Sequence, residues 1–208
     1  MSKLSRLLSS ILRHRAIELG LSMTSDGYVR VDQLLNCPAV IQYQATIEQI
    51  QQIVTESDKQ RFQLKSVIDD NGDQIVLIRA NQGHSIKNIL DDENLLQPIT
   101  IEEINEGQFP ICVHGTNNKA LKLIQSSGGL SRMSRNHIHF SSFDYRDDRV
   151  ISGMRSNVSV LIYINLAKAL TEGKLKFYLS SNRVILSPGD ENGIISNEYF
   201  DRIVHLKS

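Results

Sequence analysis

The sequence predicts an α+β protein in which a helical first part ends in a β-hairpin and a β-rich second part follows. Apolar residues recur at helical spacing near the amino terminus, and two β-rich runs flank the short turn sequence DDNGD. Several further β-rich runs lie beyond residue 110. An acidic stretch near residue 90 separates the two parts, so we expect domains at residues 1–90 and 91–208.

The first part begins with an apolar stripe at helical spacing, formed by Leu4, Leu7, Leu8, Ile11 and Leu12. The stripe predicts an amphipathic helix that ends at Gly20, because glycine commonly terminates helices. A turn at residues 25–27 then leads into a short strand predicted over residues 28–31. Thr46 is predicted to cap a second helix that runs to about residue 56.

Two strands are predicted over residues 61–68 and 74–80, and the DDNGD sequence supplies the tight turn between them. The resulting order of helix, short strand, helix and hairpin is the layout of a winged helix. Proteins of this layout often bind nucleic acid, but the fold alone does not determine the function.

The second part opens with the run PICVHGT, which predicts a strand that leads into a helix over residues 117–126. Further strands are predicted in the runs HIHFSS, VSVLIYINL, KLKFYLS and RVILSPG. A short helix is expected over residues 165–172. This half is therefore expected to contain a substantial sheet.

The overall composition is that of a folded protein, with 40% hydrophobic and 22% charged residues in 208. The 23 basic and 23 acidic side chains balance, which excludes a strongly cationic coat for nucleic acid but allows a local basic site. No apolar run is long enough to cross a membrane, and Arg6, Arg13 and Arg15 interrupt any signal-peptide core. Cys37 and Cys112 form no disulfide or metal-binding pattern, so we expect a reduced, cytoplasmic protein without a membrane partner.

The local distribution of charge is more informative than its sum. Residues 88–118 contain no lysine or arginine, whereas residues 130–155 contain five arginines and three aspartates. The acidic stretch followed by the arginine-bearing one indicates a boundary near residue 90 and an anion-binding site beyond it. A solvated surface with uneven charge explains the same pattern.

Three short motifs carry side chains suited to binding an anion or a ribose. Arg13 and His14 are adjacent on the first helix, and an arginine fork beside a histidine suits a phosphate group. The run RANQGHS over residues 79–85 places several hydrogen-bond donors around one glycine. HGT at residues 114–116 follows a strand, where a histidine and a threonine are able to reach ribose hydroxyls. Each motif taken alone also fits an ordinary solvated helix face, loop or turn.

Metal and standard nucleotide-binding chemistry find little support in the sequence. His137 and His139 share one face of a predicted strand, but no cysteine or carboxylate is placed to complete a zinc site. The motifs GxGxxG, GxxxxGK[ST], GxSxG and HExxH are all absent. We therefore expect no bound metal and no classical dinucleotide fold, P-loop or serine-hydrolase site.

Taken together, these motifs resemble the NAD-dependent tRNA 2′-phosphotransferase family, which is called KptA in bacteria. The resemblance extends from residue 4 to about residue 205 and keeps the family's order. Its stretches are LSRLLSSILRHRAIELGL, SDGYVRVDQLL, RFQL with IRANQGHS, VHGT, GGLSRMSRNHIHF, ISGMRSNVSVLIYINL and SNRVILSPG.

The resemblance implies a winged-helix lobe that binds RNA and an ADP-ribosyltransferase-fold lobe that binds NAD in a cleft between the two. The implied reaction removes an internal 2′-phosphate from RNA in two steps, and NAD is consumed. The phosphate first attacks C1″ of NAD and expels nicotinamide, which leaves ADP-ribosylated RNA. The ribose 2″-hydroxyl then attacks the phosphorus and releases 2′-hydroxyl RNA with ADP-ribose 1″,2″-cyclic phosphate.

The resemblance also implies a catalytic tetrad formed by Arg13, His14, Arg79 and Arg155. Of these, Arg13, His14 and Arg79 are expected to bind the RNA 2′-phosphate together with Ser85. Arg155 is expected to stabilise charge on the transferring phosphate. His14 is the candidate for proton transfer. The implied NAD-binding residues are His114, Gly115, Thr116, Leu130, Met133, Arg135, Asn136 and His139, the last chosen over His137.

Two alternatives remain at this level. An ADP-ribosyltransferase that acts on terminal phosphates of RNA or DNA would stop after the first step. A winged-helix regulator would bind nucleic acid without any chemistry and would release no nicotinamide. The favoured partners are an RNA with an internal 2′-phosphate and NAD, and the chain is expected to act as a monomer.

Overall fold

The computed structural model describes residues 2–145, 147 and 158–206, and the chain divides into two compact units between Leu95 and Leu96. Each unit has its own sheet and its own apolar core. The paired strands described here are antiparallel, and helices accompany the larger sheet of each unit. This architecture confirms the predicted α+β class.

The first unit begins with helix α1 (Lys3–Ser10), which Ser2 caps by accepting a hydrogen bond from the Ser5 N–H at 3.1 Å. The next five residues, Ile11–Arg15, form a π turn rather than a continuation of the α-helix. The predicted helix is therefore confirmed as far as Arg15, with a change from α to π after Ser10, and its extension to Gly20 is wrong because residues 16–20 form turns. Both helix types can bury a similar apolar stripe, so the apolar spacing did not reveal the change in hydrogen bonding.

The rest of the first unit agrees closely with the predicted order of elements. It contains β1 (Val29–Arg30), α2 (Val31–Leu35), α3 (Pro38–Ile41), α4 (Ile47–Thr55), β2 (Phe62–Ile68), β3 (Gln74–Ala80) and α5 (Asp92–Leu95). Thr46 caps α4 in a capping box with Gln49, as predicted. The hairpin is also confirmed, and its sheet has the strand order β1-β3-β2.

The two faces of the hairpin have different roles because side chains alternate along a strand. Phe62, Ile78 and Ala80 face the core and pack with Leu8, Ile11 and Leu12. Gln63, Lys65 and Arg79 occupy alternate positions and lie on the opposite face, where Gln63 pairs in register with Arg79. The hairpin thereby presents polar side chains away from the core of this unit.

The second unit contains β4 (Gln97–Pro98), α6 (Ile101–Asn105), β5 (Val113–Thr116), α7 (Asn118–Ser126), β6 (Gly129–Ser131), β7 (Ile138–Ser141), β8 (Val160–Ile164), α8 (Leu166–Thr171), β9 (Tyr178–Leu179), β10 (Val184–Ser187), β11 (Ile194–Ser196) and β12 (Phe200–His205). Among the described residues of this unit, seven strands form one sheet in the order β12-β8-β5-β7-β10-β9-β4, and β11 pairs separately with β6. The predicted helices at residues 117–126 and 165–172 correspond to α7 and α8. The run KLKFYLS contributes only the two residues of β9.

The core of the second unit covers one face of its large sheet. Phe140, Ile162 and Ile185 are fully buried there. Val113, Leu161 and Tyr163 form a separate apolar cluster on alternate strand positions. Among the helices that the structure describes, none is both long and apolar enough to cross a membrane.

Candidate active site

The structure brings Arg13, His14 and Ser85 together in the first unit. The Oγ of Ser85 lies 2.8 Å from Nδ1 of His14. The backbone N–H of Ser85 donates a hydrogen bond of 2.9 Å to the carbonyl of Arg13. The π turn and the loop that follows β3 are thus joined through both side-chain and backbone contacts, although 71 residues separate His14 from Ser85.

The loop lies directly against Arg13 at Gly83, where the backbone is left-handed. The residue has φ +88°, a left-handed conformation that residues with a Cβ adopt only at a cost. A Cβ built on Gly83 would lie 3.5 Å from Cζ of Arg13, at ordinary van der Waals distance. The glycine is therefore required by its backbone angle, and Arg13 packs closely over it.

Arg79 points from β3 to the polar face of the hairpin, and four contacts hold its guanidinium. Nε and Nη2 donate to Oε1 of Gln63 at 3.2 and 2.9 Å, and Nη1 donates to the carbonyl of Asp26 at 3.1 Å. Cζ lies 4.9 Å from the centre of the Tyr28 ring, within the range of a cation–π interaction. The direction of the Arg79 side chain is therefore well defined.

Lys65 places a second positive charge in the same group. Its Nζ lies 3.9 Å from the centre of the Tyr28 ring and 3.0 Å from a carboxylate oxygen of Asp26. Partial burial raises the pKa of Asp26, but hydrogen bonds from Thr24 and Lys65 and the charge of Lys65 outweigh it, so the pKa lies below its usual value. Asp26 is thus held in its charged form beside two cations.

The depressed pKa predicts a stability that depends on pH. A carboxyl whose pKa is lower in the folded state contributes stability above its unfolded pKa of about 3.9, and this contribution is lost as the pH falls through the folded value. We expect the free energy of unfolding to fall less steeply from about pH 5 to pH 2 in Asp26→Asn than in the natural protein. Urea titrations across this range, with Lys65→Met as a second variant that also removes the ion pair, test the expectation. Parallel pH curves for all three proteins would contradict it.

Arg155, the fourth member of the expected tetrad, lies outside the described residues, so its place in the site stays a prediction. Arg13, His14, Ser85 and Arg79 all belong to the first unit. The segment from Arg79 to Ser85 connects the polar face of the hairpin to the π turn. Guanidinium, imidazole and hydroxyl groups from this segment and the π turn are of the kinds that bind an oxyanion.

The second group of expected residues lies in the second unit, around β5 and β7. The Nδ1 of His114 lies 2.9 Å from the carbonyl oxygen of His139, and its ring meets Phe140 edge-on at 6.0 Å. Gly115 and Thr116 continue β5 and pair with Leu161 and Val160 of β8. His114 is therefore fixed in orientation by its neighbouring strand.

The segment between β6 and β7 carries the remaining residues. Leu130 is buried in β6, whereas Met133 is 82% exposed and has φ +56°. Arg135 and Asn136 follow in the same loop, and the carbonyl of Arg135 accepts a hydrogen bond of 3.4 Å from Arg132. His137 is buried with its ring edge-on to Tyr178 at 6.3 Å, whereas His139 lies in β7 beside His114.

Sequence reasoning did not single out Tyr28, Asp26 and Gln63, which hold Arg79, or Lys65, which contacts Tyr28 and Asp26. The available signal was the register of the hairpin, because the DDNGD turn places position 63 opposite position 79. Within the described ranges, no group of three or more histidine, cysteine, aspartate or glutamate side chains is placed to hold a metal ion.

Comparison with known proteins connects both units to one family. A family model described as RNA 2′-phosphotransferase, Tpt1/KptA family, matches residues 1–189. The chain is 40% identical over 209 residues to tRNA 2′-phosphotransferase 1 of Danio rerio, covering 99% of this chain and 86% of that protein. It is also 40% identical over 186 residues to tRNA 2′-phosphotransferase of Saccharomyces cerevisiae, covering 89% of this chain and 77% of that protein. A probable RNA 2′-phosphotransferase of Trichormus variabilis is 35% identical over 184 residues, covering 88% of this chain and 89% of that protein.

Proposed function

The chain belongs to the RNA 2′-phosphotransferase family and is an enzyme of the transferase class, and we propose that it removes an internal 2′-phosphate from RNA by transferring it to NAD. The joining of Arg13, His14 and Ser85 in one group carries the proposal within this chain. The names of the relatives indicate a 2′-phosphate on tRNA as their substrate, and for this chain we propose a tRNA with a splice-junction 2′-phosphate. The proposed lobes are a winged-helix RNA-binding lobe at residues 1–90 and an ADP-ribosyltransferase-like NAD-binding lobe at residues 91–208.

The proposed reaction begins when an oxygen of the RNA 2′-phosphate forms a bond to C1″ of the NAD ribose and the bond to nicotinamide breaks. In the second step the adjacent 2″-hydroxyl attacks the phosphorus, and the RNA 2′-oxygen leaves. The products are 2′-hydroxyl RNA, ADP-ribose 1″,2″-cyclic phosphate and nicotinamide. The phosphate is already anionic at neutral pH, so the first step needs no carboxylate to remove a proton.

We assign phosphate binding to Arg13, His14, Arg79 and Ser85. Arginine guanidinium groups bind phosphate oxygens through paired N–H donors, and each charge-assisted hydrogen bond contributes roughly 1.5–3 kcal/mol. Arg155 is proposed to stabilise the charge on the phosphate during its transfer. Ser85 orients His14 through Nδ1, and we propose that Nε2 of His14 moves the proton from the 2″-hydroxyl to the leaving 2′-oxygen.

The second unit is proposed to bind NAD through His114, Gly115, Thr116, Leu130, Met133, Arg135, Asn136 and His139. The chemistry of these residues fits the ligand, because imidazole, hydroxyl, amide and guanidinium groups bind ribose hydroxyls and pyrophosphate. The contact of His114 with the His139 carbonyl holds the imidazole in place for such a role. No residue of this set requires a metal ion for these interactions.

The decisive experiment mixes the protein with NAD and a short RNA that carries one internal 2′-phosphate. Both products are then identified by mass, with the matching 2′-hydroxyl RNA and a reaction without NAD as controls. We expect loss of the phosphate from the RNA and formation of ADP-ribose cyclic phosphate. ADP-ribose on terminal phosphates as the main product would favour the alternative ADP-ribosyltransferase, and binding without nicotinamide release would favour a regulator.

The proposed enzyme acts as a cytoplasmic monomer on two partners, the RNA and NAD. A monomer of this chain has a mass of 23.5 kDa. Light scattering during size-exclusion chromatography checks this state, and a mass near twice that value would contradict it.

The left-handed backbone at Gly83 predicts a loss of both stability and activity in Gly83→Ala. A Cβ in this conformation costs about 1–2 kcal/mol, and relief of the strain would shift the loop that carries Ser85 away from Arg13. Gly72→Ala is a matched control because Gly72 has φ +86° in the exposed hairpin turn with no atom within 4 Å of a built Cβ. We expect both variants to lose similar stability in urea unfolding, but only Gly83→Ala to lose phosphate transfer. Equal activity in the two variants would contradict the assignment of this loop to the site.

A further inference from the structure

The hydrogen bonds of Arg79 determine which of its donors remain available. A guanidinium has five N–H groups. Three of them are occupied in Arg79, two by Oε1 of Gln63 and one by the carbonyl of Asp26. None of the described residues accepts a hydrogen bond from the other two N–H groups of Arg79. Two N–H groups are what a bidentate contact to a phosphate requires.

The side chain that accepts two hydrogen bonds from Arg79 is the neutral amide of Gln63, so it does not reduce the positive charge of the guanidinium. A carboxylate of this chain at the same place would cancel part of the positive charge that attracts a phosphate. Gln63 accepts the two hydrogen bonds and leaves the charge of Arg79 in place. The one carboxylate described in the group, Asp26, contacts Lys65 with its side chain and reaches Arg79 only with its backbone carbonyl.

We propose that Gln63 is a positioning residue for the RNA 2′-phosphate, because it holds the guanidinium of Arg79 with its two remaining N–H groups toward that phosphate. The proposal rests on the proposed function and assigns Gln63 no contact with the substrate. The register of the hairpin brings the two residues face to face, since Gln63 pairs directly with Arg79 across β2 and β3. Tyr28 supports the same orientation through the face of its ring.

Gln63 is the member of the group that substitution tests most directly. The Asp26 contact uses a backbone atom, which a side-chain substitution does not remove. Tyr28 is buried, so its replacement would also change packing. Gln63 is only partly buried and contributes a side-chain acceptor that methionine lacks at nearly the same length.

The test measures equilibrium binding, without NAD, of two RNAs that differ only by one internal 2′-phosphate. The ratio of the two affinities reports recognition of the phosphate alone. We expect Gln63→Met to lower this ratio about tenfold, as loss of an oriented charge-assisted contact requires. Gln63→Glu restores an acceptor at the same place, but its carboxylate cancels part of the charge of Arg79, so we expect a ratio between that of Gln63→Met and that of the natural protein.

A matched control is Gln74→Met, which makes the same change at an exposed position of the same hairpin. We expect it to leave the ratio unchanged, and thermal unfolding verifies that all variants are folded. Equal ratios for Gln63→Met and the natural protein would overturn the positioning role. A loss in Gln63→Glu as large as that in Gln63→Met would also overturn it. If the natural protein binds both RNAs equally, the proposed function itself fails, which is a distinct result.

Discussion

Arg79→Lys is expected to lower kcat/KM for 2′-phosphate removal by about 100-fold. Lysine keeps the positive charge but lacks the planar fork, so it loses both the pair of contacts to Gln63 and the paired N–H groups for the phosphate. Loss of one or two charge-assisted hydrogen bonds worth roughly 1.5–3 kcal/mol each corresponds to a rate loss of this size. The measurement is the initial rate of phosphate release from an RNA with one internal 2′-phosphate, at several RNA concentrations.

The matched control for this variant is Arg61→Lys. Arg61 lies in the same unit, directly before β2, and its Nη1 forms an ion pair of 2.9 Å with Oδ1 of Asp58. It shares none of the hydrogen-bond partners of Arg79 given above. We expect its replacement to change kcat/KM by less than about threefold, since surface ion pairs contribute little. Equal rates for Arg79→Lys and Arg61→Lys would remove Arg79 from the proposed phosphate site.

His14→Ala is expected to slow the complete reaction by about 100-fold or more, which is the usual contribution of a general acid or base. Because the proposed proton transfer belongs to the second step, ADP-ribosylated RNA should accumulate in this variant. His14→Asn keeps an amide near the position of Nδ1 and can retain the contact to Ser85, but it cannot carry a proton. It is therefore expected to be as slow as His14→Ala. Mass analysis of the RNA during a single turnover measures both the rate and the intermediate.

His205→Ala serves as the control for loss of a histidine. Its Nδ1 lies 3.1 Å from Oδ1 of Asn118, so it resembles His14 in being exposed and in contacting a side-chain oxygen through Nδ1. We expect normal rates for this variant. If His14→Asn retained nearly full activity, His14 would be a binding group rather than a proton carrier.

The order of elements in the first unit follows from signals that act over short distances. Thr46 and Gln49 form a local capping box, and the DDNGD turn closes its hairpin within five residues. Such features depend on neighbours in the sequence, and they were predicted correctly. The joining of His14 to Ser85 rests instead on a contact across 71 residues, which periodicity and capping do not encode.

The second unit shows a different limit of prediction. KLKFYLS reads as a strand because its apolar residues alternate, and Leu175 and Phe177 are indeed buried. Only Tyr178 and Leu179 belong to a strand, since pairing also needs a neighbouring strand in register. The orientation of Arg79 was similarly hidden, because it depends on Tyr28 and Gln63 from two other parts of the chain.

The π turn at Ile11–Arg15 places a constraint on the length of the chain as well as on its composition. A π turn differs from the α-helix by one additional residue, so deletion of a residue within it would restore regular α hydrogen bonds. The residues before the deletion would then rotate by about 100° relative to those after it. Either the buried Leu8 would leave the core or Arg13 and His14 would turn away from the loop at Ser85. A change of one residue in length would therefore be more damaging here than most changes of side chain.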